Sequence, residues 1–246
     1  MTTGAQTGPV PTVSVRPYGD AAVMVEPSDP DPAARRTTVR RLRELLLSRR
    51  PVGVLDIVAG LESLLIGFDP LMTGPEHMGW AVRLLAETGH DTIAPTQTPR
   101  EFVIPMVFGG SAGPDLDEVA EELGLTNDDL VAAVTGSRFT IALLAAAMAP
   151  MMDGLQVPRP IRRRAEPRTD VAPGAVMVAG TGAVIQPFPG PSGWRVIGAT
   201  PHTIVDITRA DPAAFTPGDT ARFEPLDTTG AAALAGTFLL PEGATR

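Results

Sequence analysis

The sequence of 246 residues contains no cysteine, and its 20 basic residues are all arginine because lysine is absent as well. A chain without lysine cannot form the Schiff base of pyridoxal-phosphate enzymes, carry biotin or lipoate, or supply the lysine of a Walker phosphate-binding loop. A chain without cysteine has no thiol nucleophile and no thiolate ligand for a metal ion. These absences exclude several cofactor chemistries, and we expect no bound cofactor.

The balance of charge is acidic, with a formal net charge of −8 at pH 7. Nucleic-acid affinity depends largely on cations that neutralise phosphates, so we expect no nucleic-acid partner. No apolar run approaches the roughly 18 residues that a membrane-spanning helix needs, which predicts that the chain does not cross a membrane. Residues 1–12 have neither the cationic nor the apolar region of a secretory signal, so we expect a cytoplasmic location.

The polar motifs that often mark an active site are weak in this sequence. His77, His90 and His202 are too scattered for a local metal motif, and we expect no metal site. The glycine-rich segment 109–113 lacks the spacing of a nucleotide-binding loop and is interpreted as a turn that leads into a helix. Ser111 and Ser192 lie in glycine-rich turns without the G-x-S-x-G pattern of a nucleophile elbow.

The first third of the chain has the pattern of a small α+β domain. Apolar alternation, helical spacing and Pro/Gly breaks predict strands on both sides of a turn at 17–20, a helix over 33–48, strands over 52–58 and 63–68, and a helix over 75–88. The proline-punctuated segment 95–99 cannot extend either neighbour and is the predicted domain boundary. We therefore predict a disordered tail over 1–11 and an α+β domain over 12–97.

The remainder, residues 98–240, has the pattern of a β-rich domain. A strand over 101–108 precedes two short helices, and the second is predicted to begin at a capping box formed by Thr126 and Asp129. The apolar segment 139–148 fits a strand or a helix equally well. Short β runs then alternate with Pro/Gly turns, which indicates a closed barrel or a sandwich; these runs are 175–179, 183–185, 194–197, 203–207 and 220–223.

One basic cluster stands out against the acidic composition: Arg159, Arg162, Arg163, Arg164 and Arg168. Several guanidinium groups beside rigid proline backbone can bind a carboxylate or phosphate through paired hydrogen bonds. The same residues also fit a loop that faces solvent or an acidic partner. The sequence leaves both interpretations open.

Five blocks of the sequence form a pattern when taken together: SLLIGFDP (63–70), VIPMVFGGSAGPDLDEVA (103–120), PRPIRRRAEPRTDVAPGAVMVAG (158–180), PSGWRVIGATP (191–201) and PGD (217–219). Their order and spacing resemble the 5-oxoprolinase B-subunit family, also known as KipI or allophanate hydrolase subunit 1. The resemblance implies a small N-terminal α+β domain followed by a cyclophilin-like β-barrel, which makes the fold class α+β. It also implies a larger sister subunit, with which this chain would open an amide or lactam while ATP is handled outside this chain.

The sequence departs from the family pattern where the resemblance implies a pocket. Thr135 and Ala199 stand where the family carries a histidine and an arginine. Residues 145–155 replace an aromatic, glycine-rich segment by AAAMAPMMDGL, and residues 182–186 read GAVIQ in place of Q-T-G-I-Y. A pocket built from alanine and methionine is less polar and more adaptable than an aromatic one.

Three functional hypotheses follow, and the first two involve a small-molecule substrate. In the first, the chain is the non-ATP-binding subunit of a lactam or amide hydrolase, and Arg168, Gln186 and Trp194 bind substrate in a pocket shared with the sister subunit. In the second, it is a stand-alone cyclase or isomerase with a pocket remodelled at Met148, Met151 and Met152, where Met148 and Met152 contact substrate. In the third, it is a binding or inhibitory module without chemistry. The partner is a sister subunit or a second copy of the chain.

Candidate catalytic residues are few because the chain lacks lysine and cysteine. Near the implied pocket, Asp153 and His202 are the side chains that titrate in a range suited to general acid or base catalysis. Both also fit loop positions, since Asp153 precedes a glycine and His202 follows a proline. Arg168 beside the Trp194 indole would hold a ring that bears a carboxylate by charge and stacking.

Overall fold

The computed structural model describes residues 12–88 and 98–244, and the chain divides into two compact units, residues 1–98 and 99–246. The predicted tail over 1–11, most of the predicted boundary segment 95–99 and His90 lie outside the described residues. Within the part of the chain that is described, no helix is long and apolar enough to cross a membrane.

The first unit is an antiparallel sheet with two helices, as the sequence predicted. The sheet has the strand order β1-β2-β4-β3. Its elements are β1 (Val13–Pro17), β2 (Ala22–Pro27), α1 (Pro32–Arg49), β3 (Val54–Ala59), β4 (Leu64–Phe68) and α2 (Pro75–Thr88).

Burial in the first unit follows the periods of its elements. Alternate residues of the two central strands are buried, so β2 and β4 each present one apolar face to the core. Helix α1 begins where Asp31 accepts a hydrogen bond from the amide of Ala33, and it buries the stripe Val39, Leu42, Leu45 and Leu46. The core of this unit therefore lies between the sheet and its helices.

The second unit is built around a closed seven-stranded barrel with the order β10-β7-β6-β13-β5-β12-β9, and β9 pairs with β10 to complete the circle. Its strands are β5 (Glu101–Phe108), β6 (Phe139–Leu144), β7 (Pro150–Asp153), β8 (Arg168–Val171), β9 (Ala175–Ala179), β10 (Gly182–Ile185), β11 (Gly190–Ser192), β12 (Arg195–Ala199) and β13 (Thr220–Pro225). Its helices are α3 (Leu116–Leu123), α4 (Asn127–Gly136) and α5 (Thr228–Leu234).

The α+β fold class and the barrel predicted for this chain are confirmed. Strands β5 and β13 pair in parallel, and the other barrel pairs are antiparallel. Strands β8 and β11 form a separate two-stranded sheet, called the β8–β11 sheet below. The capping box of α4 is present, because Asp129 donates its amide to the Thr126 hydroxyl and returns a carboxylate to the Thr126 amide.

Two local predictions need correction or completion. Residues 203–207 were predicted as a strand, but they form only isolated bridges at Thr203 and Val205, because Asp206 accepts the amide and hydroxyl of Thr208 and turns the chain. The ambiguous segment 139–148 is strand β6 followed by a short 3-10 turn over 146–148. The short strands β7, β8 and β11 were not predicted.

A buried carboxylate joins four parts of the second unit. Asp115, with 1% of its surface exposed, accepts a hydrogen bond from Arg164 Nη1 at 2.9 Å and two from Arg168, at 2.6 and 2.7 Å. It also accepts the amide of Val196 in β12 at 2.7 Å. One side chain before α3 thus holds the arginine cluster, β8 and β12 together.

The rest of α3 continues this acidic face. Glu118 and Glu122 follow Asp115 at helical spacing; Glu118 binds Arg195, and Glu122 binds the amide of Arg162 at 2.9 Å and its Nε at 3.2 Å. The arginine cluster therefore has an acidic partner inside its own chain. Of its five members, Arg162, Arg164 and Arg168 bind α3 or its start.

The pKa of Asp115 reflects competing effects. Burial alone would raise the pKa, but the Arg168 hydrogen bonds, the Val196 amide and the charges of Arg168 and Arg164 together hold the pKa below its ordinary value. The ionised form is therefore the one that the fold stabilises. The contribution of this carboxylate to the free energy of unfolding is complete above its pKa in the unfolded chain, which is about 4. That contribution is lost as pH falls through the lower pKa of the folded state.

A second buried carboxylate lies where strands β5 and β13 begin. Asp219 accepts Arg100 Nη2 at 2.6 Å, the Arg100 amide at 3.0 Å and the Thr216 amide at 2.8 Å. These bonds connect residues on both sides of the parallel β5–β13 pair, which are more than a hundred positions apart in sequence. Asp115 and Asp219 both follow Pro/Gly turns, in two of the blocks that carry the family resemblance.

Replacing Asp115 by asparagine should destabilise the second unit by about 3 kcal/mol, since it leaves two partly buried arginines without their counter-charge. Urea unfolding followed by circular dichroism measures this change. Asp117→Asn is the matched control, because Asp117 is exposed in the first turn of α3. An asparagine side chain there can still accept the hydrogen bond from Asn127. Equal midpoints for the two variants would contradict the central role of Asp115.

The same pair of proteins tests the pH dependence. The free energy of unfolding of the unmodified chain should fall as pH is lowered below about 4, and Asp115→Asn should lose less over that interval because its residue 115 does not titrate. Parallel pH profiles would show that other carboxylates govern acid unfolding.

The turn between β6 and β7 contains backbone strain. Ala147 (φ 55°) and Met148 (φ 62°) both adopt left-handed conformations, which disfavour residues with a Cβ atom. Ala147→Gly should therefore raise the unfolding free energy by about 0.5–1 kcal/mol, the relief of strain less the entropy of glycine. Ala146→Gly, at the exposed neighbour with an ordinary φ, should lower it. Thermal unfolding compares them, and a loss of stability in both would contradict the prediction.

Candidate functional site

The second unit has an open pocket of about 400 Å³ at the ends of β5 and β12. The loop after β5 forms one wall, the residues after β12 form another, and α5 contributes a third. The lining residues are Val107, Phe108, Gly109, Gly110, Ser111, Ala112, Ala199, Thr200, Pro201, Thr228 and Ala231.

Glycine determines the path of the loop after β5. Gly109 and Gly110 both have positive φ, and a Cβ atom at Gly113 would lie 2.1 Å from the carbonyl oxygen of Ile197. Gly109 donates its amide to that carbonyl at 3.1 Å, and Gly113 donates to Gly109 at 2.8 Å. The prediction of a turn that leads into a helix is confirmed. That the same turn lines a pocket was not predicted.

The polar groups of the pocket are amides and hydroxyls. The amides of Gly110, Ser111 and Ala112 donate to no acceptor among residues 12–88 and 98–244. Thr200 is 5% exposed; its hydroxyl accepts the His202 amide at 3.4 Å, and no described residue accepts the hydroxyl proton. Ser111 and Thr228 add further hydroxyls, and no charged side chain lines the pocket.

His202 lies directly after the pocket residues Thr200 and Pro201, but its Nδ1 faces Thr237. That nitrogen is 2.9 Å from the Thr237 hydroxyl and 3.2 Å from the Thr237 carbonyl oxygen. The Thr237 hydroxyl also donates to the Leu234 carbonyl at 2.7 Å, so His202 is tied to the segment that follows α5.

Asp153 is far from this pocket in the strand order. It belongs to β7, where it pairs with Thr140 in β6 and Gly182 in β10. Strand β7 is three positions from β5 in one direction around the barrel and three from β12 in the other. The structure therefore does not bring the two predicted catalytic residues, Asp153 and His202, to one site. Their catalytic roles stay predictions.

Three of the predicted substrate-binding residues lie in or next to the strands of the β8–β11 sheet. Arg168 begins β8, opposite Ser192, and both its terminal nitrogens bind Asp115. Gln186 donates its side-chain amide to the Phe188 carbonyl at 2.8 Å, close to Gly190. Trp194 packs with Met151 against a small apolar cluster that includes Val171, Met177 and Val184.

The two predicted methionines lie in the barrel core or against it. Met152 is buried there, and Met148 packs against the same cluster from the left-handed turn. None of the seven residues predicted for the site lines the pocket beside β5 and β12. Among the described ranges, no group of three His, Asp or Glu side chains is placed to hold a metal ion.

Sequence reasoning missed both Asp115 and the pocket. A signal for Asp115 was available, because it precedes α3 with acidic residues at helical spacing while five arginines follow later in the chain. The pocket gave little signal beyond paired glycines, since its walls are backbone and small side chains.

Comparison with known proteins agrees with this architecture. The family described as carboxyltransferase domain, subdomain C and D, matches residues 13–215. The 5-oxoprolinase B-subunit of Escherichia coli O157:H7 is 29% identical over 209 residues, 84% of this chain and 93% of the relative. The 5-oxoprolinase B-subunit of Haemophilus influenzae is 28% identical over 222 residues, 86% of this chain and 97% of the relative.

Solved structures show the same fold in longer chains. TTHA0988 superposes with a TM-score of 0.70 at 26% identity over 85% of this chain, which spans only 40% of that protein. The Kluyveromyces lactis urea amidolyase gives a TM-score of 0.74 at 20% identity, over 95% of this chain and 16% of that protein, and shows the fold alone. Since the family match covers most of the sequence and the structure has the corresponding barrel, the chain belongs to the carboxyltransferase domain, subdomain C and D family.

Proposed function

We propose that the chain is the counterpart of the 5-oxoprolinase B-subunit in a heteromeric enzyme that hydrolyses a lactam or amide, with 5-oxoproline as the first substrate to test. The observation that supports this most is the extent of the match to that protein, which covers 93% and 97% of two relatives. A match to nearly the whole relative indicates a corresponding component, not a shared fragment.

The residues present are consistent with a division of labour between subunits. The chain has no lysine, so it cannot provide a Walker-type ATP site, and we assign ATP to a sister subunit. The two predicted catalytic residues, Asp153 and His202, lie on separate parts of the barrel. In this proposal, reactive groups come together when the sister subunit completes the site.

The β8–β11 sheet and the residues that flank it are the proposed substrate-facing element for this reaction. Trp194 and Gln186 lie there, and Arg168 fixes the strand through Asp115. In this arrangement the guanidinium of Arg168 positions β8, while the Trp194 indole and the Gln186 amide are the groups that would contact an amide or lactam. An indole N–H is a donor suited to a carbonyl oxygen.

The proposal requires a stable complex and a shared activity. When the chain is co-expressed with its sister subunit, we expect both to elute together in gel filtration, and ATP-dependent hydrolysis of 5-oxoproline to glutamate to require both. Each subunit alone should be inactive. A chain that turns over a substrate by itself would favour the stand-alone enzyme, and a complex that binds but never hydrolyses would favour an inhibitory module.

Trp194 allows a sharper test within that complex. Trp194→Phe keeps an aromatic ring but removes the N–H donor, and it should lower kcat/KM by roughly tenfold at an unchanged melting temperature, as expected for one lost hydrogen bond. Trp80→Phe is the control, because the second tryptophan is exposed on α2 in the other unit. Equal activity of both variants would remove Trp194 from the proposed site.

A further inference from the structure

The first unit exposes more large apolar side chains than the second. Among the described residues, eleven large hydrophobic residues are exposed, and nine of them belong to the first unit although it is the shorter of the two. Single exposed apolar residues are ordinary on a protein surface, whereas several that lie together mark a surface that binds another molecule. Four of the nine lie at one end of the first unit, which makes that end a candidate interaction surface.

Two neighbouring loops form this end. The loop that follows α1 lies against the loop that follows β4, since Asp69 donates its amide to the Gly53 carbonyl at 2.8 Å. A Cβ atom at Gly53 would lie only 3.4 Å from Met72 Cβ, so the two loops are in contact there. The four apolar residues at this end are exposed by 62 to 94%. They form what we call the apolar end patch: Val52, Leu55, Leu71 and Met72.

Hydrogen bonds hold the backbone of the patch in place. Asp69 accepts the Leu71 amide on its carboxylate at 2.9 Å and the Met72 amide on its carbonyl at 3.0 Å. In the facing loop, Val54 donates its amide to the Pro51 carbonyl at 3.1 Å. The apolar side chains therefore project from ordered turns, and a surface that is ordered before it meets a partner loses less conformational entropy on binding.

Strand β3 lies at the edge of its sheet, and the start of this strand is closed to pairing with another strand. Arg50 donates to the carbonyls of Val54 at 3.3 Å and Leu55 at 2.9 Å, so a partner strand would find those acceptors occupied. The register with β4 shifts between Val54 and Asp56, and the Asp56 carboxylate accepts the Ile57 amide at 2.8 Å. A partner at this end must therefore bind through side chains and not by extending the sheet.

Charges of both signs adjoin the patch. Arg49, Arg50, Asp56 and Asp69 each lie within three residues of one of its members, and none of the four forms an ion pair with a described residue. A two-fold axis sets identical surfaces against each other, so it joins apolar side chains to apolar side chains and brings the arginines of one copy near the aspartates of the other. A second copy of the chain thus supplies both kinds of complementarity.

We propose that the apolar end patch is the interface of a homodimer, in which a second copy of the chain packs the same four side chains against it and arginines of one copy meet aspartates of the other. The interface belongs to the first unit, whereas the β8–β11 sheet of the proposed hydrolase belongs to the second. The inference therefore does not rest on the proposed function. A heteromeric enzyme that contains two copies of this chain satisfies both.

Sedimentation velocity of the full chain over a range of concentrations tests the interface. We expect the unmodified chain to form dimers, and Leu71→Asp to raise the dimer dissociation constant roughly tenfold or more, because each copy then carries an ionised side chain into an apolar contact. Ile207→Asp is the matched control, since Ile207 is an apolar residue of the second unit that is 75% exposed. Circular dichroism verifies that both variants are folded.

A chain that stays monomeric at about 200 µM, a concentration at which a micromolar dimer is nearly saturated, would overturn the proposal. Equal dimerisation of the two variants would overturn it as well. A monomer that binds its sister subunit and loses it on Leu71→Asp would assign the patch to that subunit instead. Dimers whose complex shows no lactam hydrolysis would keep this inference and reject the hydrolase, and an active complex built on monomers would do the reverse.

The adjoining charges give a second test. Arg49→Glu should weaken the dimer about fivefold at low salt, because it replaces attraction to the aspartates of the other copy by repulsion, and the difference should shrink in about 0.5 M NaCl, which screens exposed charges. Arg83→Glu is the control, as Arg83 is an exposed arginine on α2. Equal dissociation constants for these two variants at low salt would contradict the assignment of a second copy as the partner.

Discussion

The arrangement of the second unit depends on one buried carboxylate. Asp115 accepts four hydrogen bonds, from Arg164, twice from Arg168 and from the Val196 amide. Withdrawing a carboxylate from water costs several kcal/mol, and that cost is offset only where the partners and geometry are fully provided, as they are here. Because those partners lie in two stretches of the chain, both far in sequence from Asp115, the ion pair fixes long-range geometry that local propensity leaves undetermined.

The backbone of the same residue helps to fix the position of the pocket loop. Asp115 donates its own amide to the Val196 carbonyl, while Gly109 donates to Ile197 one residue further along β12. The loop over 109–113 is therefore held against β12 at both ends. Asp115 and the loop that lines the pocket are thus both bonded to β12.

Much of the fold was predictable where a period extends over several turns or residues. Helix α1, strand β5 and the Thr126 capping box each have a local physical signature, and each is found where the sequence predicted it. Strands of three or four residues, such as β7 and β11, are too short to show a period, and their partners decide their conformation. The ion pairs of the arginine cluster join residues 40 to 53 positions apart, so no local pattern could assign them.

The turn between β6 and β7 has a backbone geometry that its side chains disfavour. The segment over 145–155 lacks the aromatic and glycine-rich character seen in the family it resembles, yet Ala147 and Met148 still adopt the left-handed backbone that glycine would take without strain. The strain of these two residues is offset by the hydrogen bonds that close the turn, in which Ala145 donates to the Ala149 carbonyl at 2.8 Å and Met148 donates to the Ala145 carbonyl at 3.1 Å.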